Sequence, residues 1–307
     1  MALLTRRSSG RFHLTLGQRR QMWAYIFLIL PLFFFIAIRF APTLFAMSVS
    51  LFRWDILSAN KPWLGLKNYE TLFADPVFWN SLTNTLLYVA FSVPAQLVIG
   101  LAFALLLQAV AHWKGFFRAL YFIPFVTSTV AISWVWRWMY EPTFGPLNKL
   151  LALVGLPEQK YLASPDQALP SIVIVLVWQA LGFYVIIFLA GLEAIPTDFY
   201  EAAKIDGARS WDVFRHITLP LLNPTIVFLT VIGTITAIQV FTQVLNMSFQ
   251  GMGGPLNSTK SLVLFIYQQA FKSFKMGYAS AGTVVLFALI LVITVIQLKV
   301  TTRRVEY

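Results

Sequence analysis

The sequence predicts an all-α protein that crosses a membrane several times, and three observations carry that prediction. Of its 307 residues, 58% are hydrophobic and only 11% charged, with a mean hydropathy of +0.73. A soluble domain carries about 25% charged residues, so this chain has too little polar surface for a solvated shell. Its apolar residues also gather into runs long enough to cross a bilayer, which takes about 20 helical residues. Finally, the turn formers and charges fall between those runs. Cysteine is absent, which excludes a disulfide framework and thiolate metal sites. The net charge of +11 is best read through its distribution between loops, and no nucleic-acid partner is expected.

Six runs qualify as spans. Span 1 (about 23–51) follows a tail, residues 1–20, that carries Arg6, Arg7, Arg11, Arg19 and Arg20. A cleaved signal peptide would have a short apolar core, whereas this run is far longer, so it reads as a retained span. Span 2 (81–110) is joined by the short "AHWKG" to span 3 (116–139). Spans 4 (168–192), 5 (217–245) and 6 (278–299) complete the set. Longer polar connections follow spans 1, 3 and 5, the last containing "MSFQGMGGPLNSTKSLVLFIYQQAFKSFKMG". No internal repeat or low-complexity segment is visible, so residues 21–307 are expected to form one membrane domain.

Orientation follows from lysine and arginine. With the N-terminus inside, thirteen of the 23 fall in cytoplasmic segments and nine in outer loops or their edges, leaving Arg39 within span 1. The five arginines before span 1 weigh most under the positive-inside rule. Both termini, and residues 193–216, are therefore expected in the cytoplasm.

That internal segment, "EAAKIDGARSWDVFRHITLPLLNP" at 201–224, is polar between two nearly pure hydrocarbon runs. Thr197 or Asp198 offers an N-cap, and Asp198 with Glu201 has capping-box spacing. A short helix over "FYEAAKID" would set Tyr200, Ala203 and Gly207 on one side, small enough in the middle for another surface to approach the backbone. Gly207 would end it, where positive φ is least unfavourable, and Ser210 would cap a second short helix. Antiparallel spans need only a few linking residues. A longer link with caps and with Tyr200, Ile205, Trp211 and Phe214 among its charges predicts a docking surface.

These residues resemble the EAA loop of binding-protein-dependent ABC importer permeases, whose pattern is E-A-A, three residues, G, nine residues, I-x-L-P. Glu201-Ala202-Ala203, Gly207 and Ile217-Thr218-Leu219-Pro220 match every fixed position. "WLGLKNYETLFADPVFWNSLTNTLLY", "RALYFIPFVTSTVAISWVWRWMYEPTFGPLN", "FLAGLEAIPTDFYEAAKIDGA" and "GGPLNSTKSLVLFIYQQAF" are similar to the carbohydrate-uptake group, the maltose and glycerol-phosphate type, over roughly 20–307. The glycine-glycine-proline after span 5 resembles the first permease subunit. The resemblance implies a maltose-permease-like type I importer fold in a bacterial-type cytoplasmic membrane. It also implies a second homologous permease, two ABC ATPase subunits and an extracytoplasmic solute-binding protein, besides the surrounding lipid. Carried across, Glu201, Ala202, Ala203, Asp206 and Gly207 couple to the ATPase.

The sequence fits that division of labour. No G-x-x-x-x-G-K-[ST] phosphate loop occurs, so the chain is expected to be a transport subunit and not an enzyme. It would bind no cofactor, with ATP and Mg used by the partner. His13, His112 and His216 have no metal-ligand spacing, and no metal site is expected.

Polar groups within spans usually face a bundle interior or an aqueous cavity. On span 5, Thr236, Gln239 and Gln243 share a helical face above Gly233, and span 4 adds Trp178, Gln179, Gly182 and Tyr184. Amides bond hydroxyls and aromatic rings stack on sugar C–H faces, so these eight residues form the candidate solute pathway. Interhelical packing is the alternative role for each. Arg39 would meet an anionic substrate, lipid headgroups or the partner permease. A sugar or sugar-like solute is the leading substrate class, with sn-glycerol-3-phosphate or a phosphodiester as the alternative. A secondary transporter is the rival from another class; it would be expected to carry an ionisable relay within its spans, and apart from Arg39 none is visible.

Overall fold

The computed structural model describes residues 15–109 and 112–301. Arg6, Arg7, Arg11, His13, Arg303 and Arg304, and most of the 1–20 tail, lie outside the described residues. Among the described residues there is no strand, only two isolated bridges, Phe52 to Trp63 and Asp55 to Lys275. The described residues are all-α, with the long apolar helices of a polytopic membrane protein. Among the described residues, four helices are long and apolar enough to cross a bilayer, and the number reaches six when each of two bent pairs is taken as one span.

Span 1 runs over Leu16–Val49, starting earlier than hydropathy indicates because Thr15 and Gln18 form a reciprocal capping box. It passes Pro31 and widens to a π turn at Ile36–Phe40 just before Pro42, where proline removes a backbone donor. Among the described residues, none before Val49 is buried within the chain. Arg39 sits in the π turn, beside a shallow cleft shared with Thr283, Val284 and Phe287 of span 6.

Span 2 is Pro76–Ala109. Asp75 accepts the Val77 N–H at 2.8 Å and Pro76 holds the first helical position, the usual start signal; hydropathy alone puts the start five residues late. Span 4, Pro165–Glu193, is the central helix, and span 6 is Met276–Thr301. Each of the three is a single continuous helix.

Spans 3 and 5 correct the sequence reading, which draws each as continuous. Span 3 comprises Lys114–Val126 and Thr129–Met139, bent by 92°. Thr127 and Ser128 take extended ψ values of 145° and 122°, after Pro124 has weakened the last turn. Span 5 comprises Ser210–Leu221 and Asn223–Ile238, bent by 63° between Pro220 and Pro224. Asn223–Ile238 then stops at Gln239, and a separate short helix, Thr242–Met247, follows.

The connection after span 5 is not an open loop. Residues 262–267 form a helix whose Leu262, Leu264 and Phe265 are buried. Phe265, Leu262, Leu72, Phe78 and Ala281 make a small core of their own. Span 2 anchors this segment: Thr85 accepts the Leu262 N–H (2.8 Å), Tyr88 donates to the Thr259 carbonyl (2.9 Å) and Asn84 to the Asn257 carbonyl (2.8 Å).

The packed interior is divided along the membrane normal. We call the half nearer residues 194–222 proximal and the other distal. The proximal core gathers Tyr184, Phe188, Leu189 and Leu192 of span 4 with Ala104, Leu107, Leu222 and Leu229. The distal core gathers Leu169, Ile172 and Val175 of the same span with Tyr88, Ile132, Val244 and Met247. Spans 2 and 4 run through both cores. Spans 3 and 5 each break between them.

Candidate functional site

A cavity of about 360 Å³ lies at that seam. Span 2 contributes Ser92 and Gln96, span 4 contributes Gln179, Phe183 and Tyr184, and the break in span 3 contributes Phe125 and Thr129. Span 5 supplies Gly233, Thr236, Gln239, Phe241 and Gln243. Among the described residues, none lining this space carries a charge. Its wall alternates amides and hydroxyls with aromatic faces; Phe125 and Phe183 stack at 5.1 Å, 18° from parallel.

Six of the eight residues assigned from sequence line the cavity: Gln179, Tyr184, Gly233, Thr236, Gln239 and Gln243. The physical reason differs from the one the sequence supplied. Thr236, Gln239 and Gln243 do not share a helical face, because the helix ends at Ile238. Gln239 lies in the break, and Gln243 sits in the first turn of the next helix. They converge because the chain interrupts itself beside span 4.

Trp178 and Gly182 stand outside the cavity. Trp178 meets Trp136 edge-on at 5.3 Å. Gly182 lies at a close crossing of spans 3 and 4: a Cβ there would sit 2.1 Å from the Tyr121 carbonyl oxygen. Its lack of a side chain serves helix contact, as small residues do between membrane helices. Gly233 does combine both roles, lining the cavity while a Cβ would fall 2.1 Å from the Tyr184 hydroxyl.

The sequence reading missed Ser92, Gln96, Phe125, Thr129, Phe183 and Phe241. A signal for the first two was present. Ser81, Thr85, Tyr88, Ser92 and Gln96 recur at three- and four-residue steps on span 2, and all are buried. Gln96 donates to the Leu176 carbonyl at 3.2 Å, and Ser92 returns its hydroxyl to the Tyr88 carbonyl at 2.6 Å.

Two further bonds cross the seam. Gln243 Nε2 donates to Gln179 Oε1 and Gln179 Nε2 donates to the Thr129 hydroxyl, both at 3.1 Å. In the connection after span 5, burial lowers the Lys260 pKa, opposed by the negative charge of Asp75 and reinforced by the positive charge of Lys272.

The proximal segment forms the short helix Thr197–Ile205. Pro196 occupies the N-cap and no side chain caps it, so neither Thr197 nor the Asp198–Glu201 pair plays the expected part. Its end is as expected. Gly207 has φ +73°; its N–H reaches the Lys204 carbonyl (3.2 Å) and the Ala208 N–H reaches that of Ala203 (2.9 Å), the bond pair of a Schellman turn. The next helix starts with Ser210 already helical and Arg209 at the cap.

The exposed face is not the small one. Ala203 is buried against its own chain and Tyr200 bonds Thr218 at 3.3 Å, because these two seat the helix on the membrane domain. Glu201, Ala202, Lys204, Ile205 and Asp206 face outward, with Ile205 88% and Trp211 67% exposed. Just before the segment, Arg118 of span 3 pairs with Glu193 of span 4 at 2.6 Å.

Bent spans around an uncharged polar cavity, with a docked surface helix at one end, define a solute-translocating membrane subunit. The family of binding-protein-dependent transport system inner membrane components matches residues 71–306, and the chain belongs to it. It is similar to the probable ABC transporter permease protein YurN of Bacillus subtilis, 35% identical over 280 residues, covering 90% of this chain and 94% of that one. The trehalose/maltose transport system permease protein MalF of Thermococcus litoralis is 35% identical over 259 residues, covering 84% and 86%. Among solved structures, a bacterial alginate ABC transporter in complex with its alginate pentasaccharide-bound periplasmic protein superposes with a TM-score of 0.81 at 22% identity, over 94% of this chain and 98% of that one. At that identity the likeness speaks for the fold.

Proposed function

We propose that this chain is one of two homologous permease subunits of an ATP-driven importer that carries a neutral sugar or polyol into the cell. One observation carries the solute class: the seam cavity offers four amide side chains, five hydroxyls and three phenylalanine faces with no charge in its described wall. A neutral polyhydroxyl ring is complementary to that mixture. A glycerol phosphate or phosphodiester would call for a cationic partner, and Arg39 lies away from the cavity in span 1. The sugar named for the trehalose/maltose relative supports the same class.

The solute would arrive from an extracytoplasmic binding protein at the distal end. ATP and Mg would be used by two ATPase subunits docked at the proximal end, on the outward residues Glu201, Ala202 and Asp206, with Gly207 shaping the turn. Both termini then lie in the cytoplasm. Ala203 acts in this scheme by seating the helix rather than by touching the partner. Gln239→Ala and Gln243→Ala are expected to lower uptake of the neutral sugar about tenfold each, the equivalent of one hydrogen bond near the upper end of the usual range. Assembly should be unchanged in co-purification. Wild-type uptake kinetics in both variants would remove the cavity from the pathway, and uptake driven by a proton gradient without ATP would restore the secondary-transporter reading.

A further inference from the structure

We infer that Gln179 is a latch that holds the distal halves of spans 3 and 5 against span 4, and that a solute in the cavity releases it. The inference rests on the reading of the cavity as the solute site. Its starting point is where the hydrogen bonds fall. Thr129 is the first residue after the break in span 3, and Gln243 lies in the first turn after the break in span 5. Both bond the same amide, that of Gln179, one through its oxygen and one through its nitrogen.

The two distal pieces also pack on each other. Ile132 of one packs with Val244 and Met247 of the other in the distal core, and Arg137 donates to the Asn246 carbonyl at 3.2 Å. Their links to the proximal half pass through the irregular residues Thr127–Ser128 and Gln239–Phe241. Such interruptions absorb rotation with few dihedral changes. Gln179 is therefore placed where one side chain on an unbroken helix bonds both hinged pieces at the cavity, beside their apolar packing on span 4 in the distal core.

The amide also lines the cavity. A solute hydroxyl is at once donor and acceptor, so it competes for both atoms that Thr129 and Gln243 use. A ligand shifts an equilibrium only through differential interaction with its two states, and this competition supplies one. The empty cavity favours the latched arrangement; a bound sugar replaces the two protein–protein bonds with its own and frees the distal pair to rotate. Gln179 is thus a positioning residue in the transport cycle, and Thr129 and Gln243 are its two catches.

The test uses the assembled transporter with its ATPase and binding proteins, and measures ATP hydrolysis without solute and with maltose, trehalose or lactose, glycerol 3-phosphate serving as the anionic probe. Gln179→Leu and Thr129→Val should each raise the solute-free rate, by roughly tenfold for Gln179→Leu, which loses both bonds. Both should bring the solute-stimulated ratio toward one. Thr129→Ser, which keeps the hydroxyl, should recover the ratio. Unchanged solute-free rates in both variants, with assembly intact, would overturn the latch. A raised rate with the full stimulation ratio preserved would overturn its release by solute. Wild-type indifference to every sugar tested, alongside a response to glycerol 3-phosphate, would instead overturn the neutral-solute reading on which the trigger depends.

Discussion

Spans 2 and 4 run unbroken through both hydrophobic cores, whereas spans 3 and 5 break where the cores meet. An internal proline alone does not account for the difference, because Pro94 and Pro170 lie inside the unbroken helices just as Pro124 lies in span 3. The unbroken helices bury their polar groups laterally, as when Tyr88 and Asn84 hold the segment 257–260 and Gln96 bonds span 4. The broken helices turn their irregular backbone toward a cavity, which is where non-helical backbone is tolerated at membrane depth. Continuous helices therefore act as rails, and interrupted ones create the site between two packed bodies.

The sharpest way to break this comparison is to spoil the contact of a rail with a bent partner. Gly182→Leu puts a side chain onto the Tyr121 carbonyl, against backbone that cannot move aside cheaply. Overpacking of this kind costs about 1–3 kcal/mol and more when backbone must shift. Loss of folded protein in a thermal-stability assay is expected, far beyond the effect of a change in the cavity wall. Wild-type stability would mean that spans 3 and 4 are not held at this crossing.

A smaller effect is expected at the proximal end. Gly207→Trp leaves the side chain in open space but forces it into positive φ, which costs about 1–2 kcal/mol. The turn after Ile205 should distort, with loss of uptake and of co-purifying ATPase while the membrane domain stays folded. Gly207→Asn, which tolerates this conformation better, should retain much of the uptake. Equal behaviour of the two variants would separate the Schellman turn from coupling.

Much of this architecture is legible in the sequence, and the exceptions share a cause. Spans 2, 4 and 6 follow from hydropathy, and Asp75-Pro76 and Ser164-Pro165 mark two of their starts more sharply than hydropathy does. The turn at Gly207 is local chemistry and is read correctly. Pro124 and the Thr127-Ser128-Thr129 run hint at the break in span 3. No proline or glycine marks the break at Gln239–Phe241. There the Val240 carbonyl accepts from Ser261 Oγ at 2.6 Å, a contact from beyond the glycine-rich connection that no local pattern records. The outward face of the Thr197–Ile205 helix was misjudged for a similar reason: only the packed chain reveals that Ala203 is the inward residue.

The central claim, that the solute passes through the seam cavity, can be tested directly because the chain has no cysteine. Thr236→Cys inside the cavity and Trp178→Cys outside it would be compared in the assembled transporter for their rate of modification by a small uncharged maleimide. The account predicts that saturating maltose or another transported neutral sugar slows labelling several-fold at position 236 and leaves position 178 unaffected. Equal labelling at position 236 with and without a sugar that the transporter demonstrably carries would contradict it.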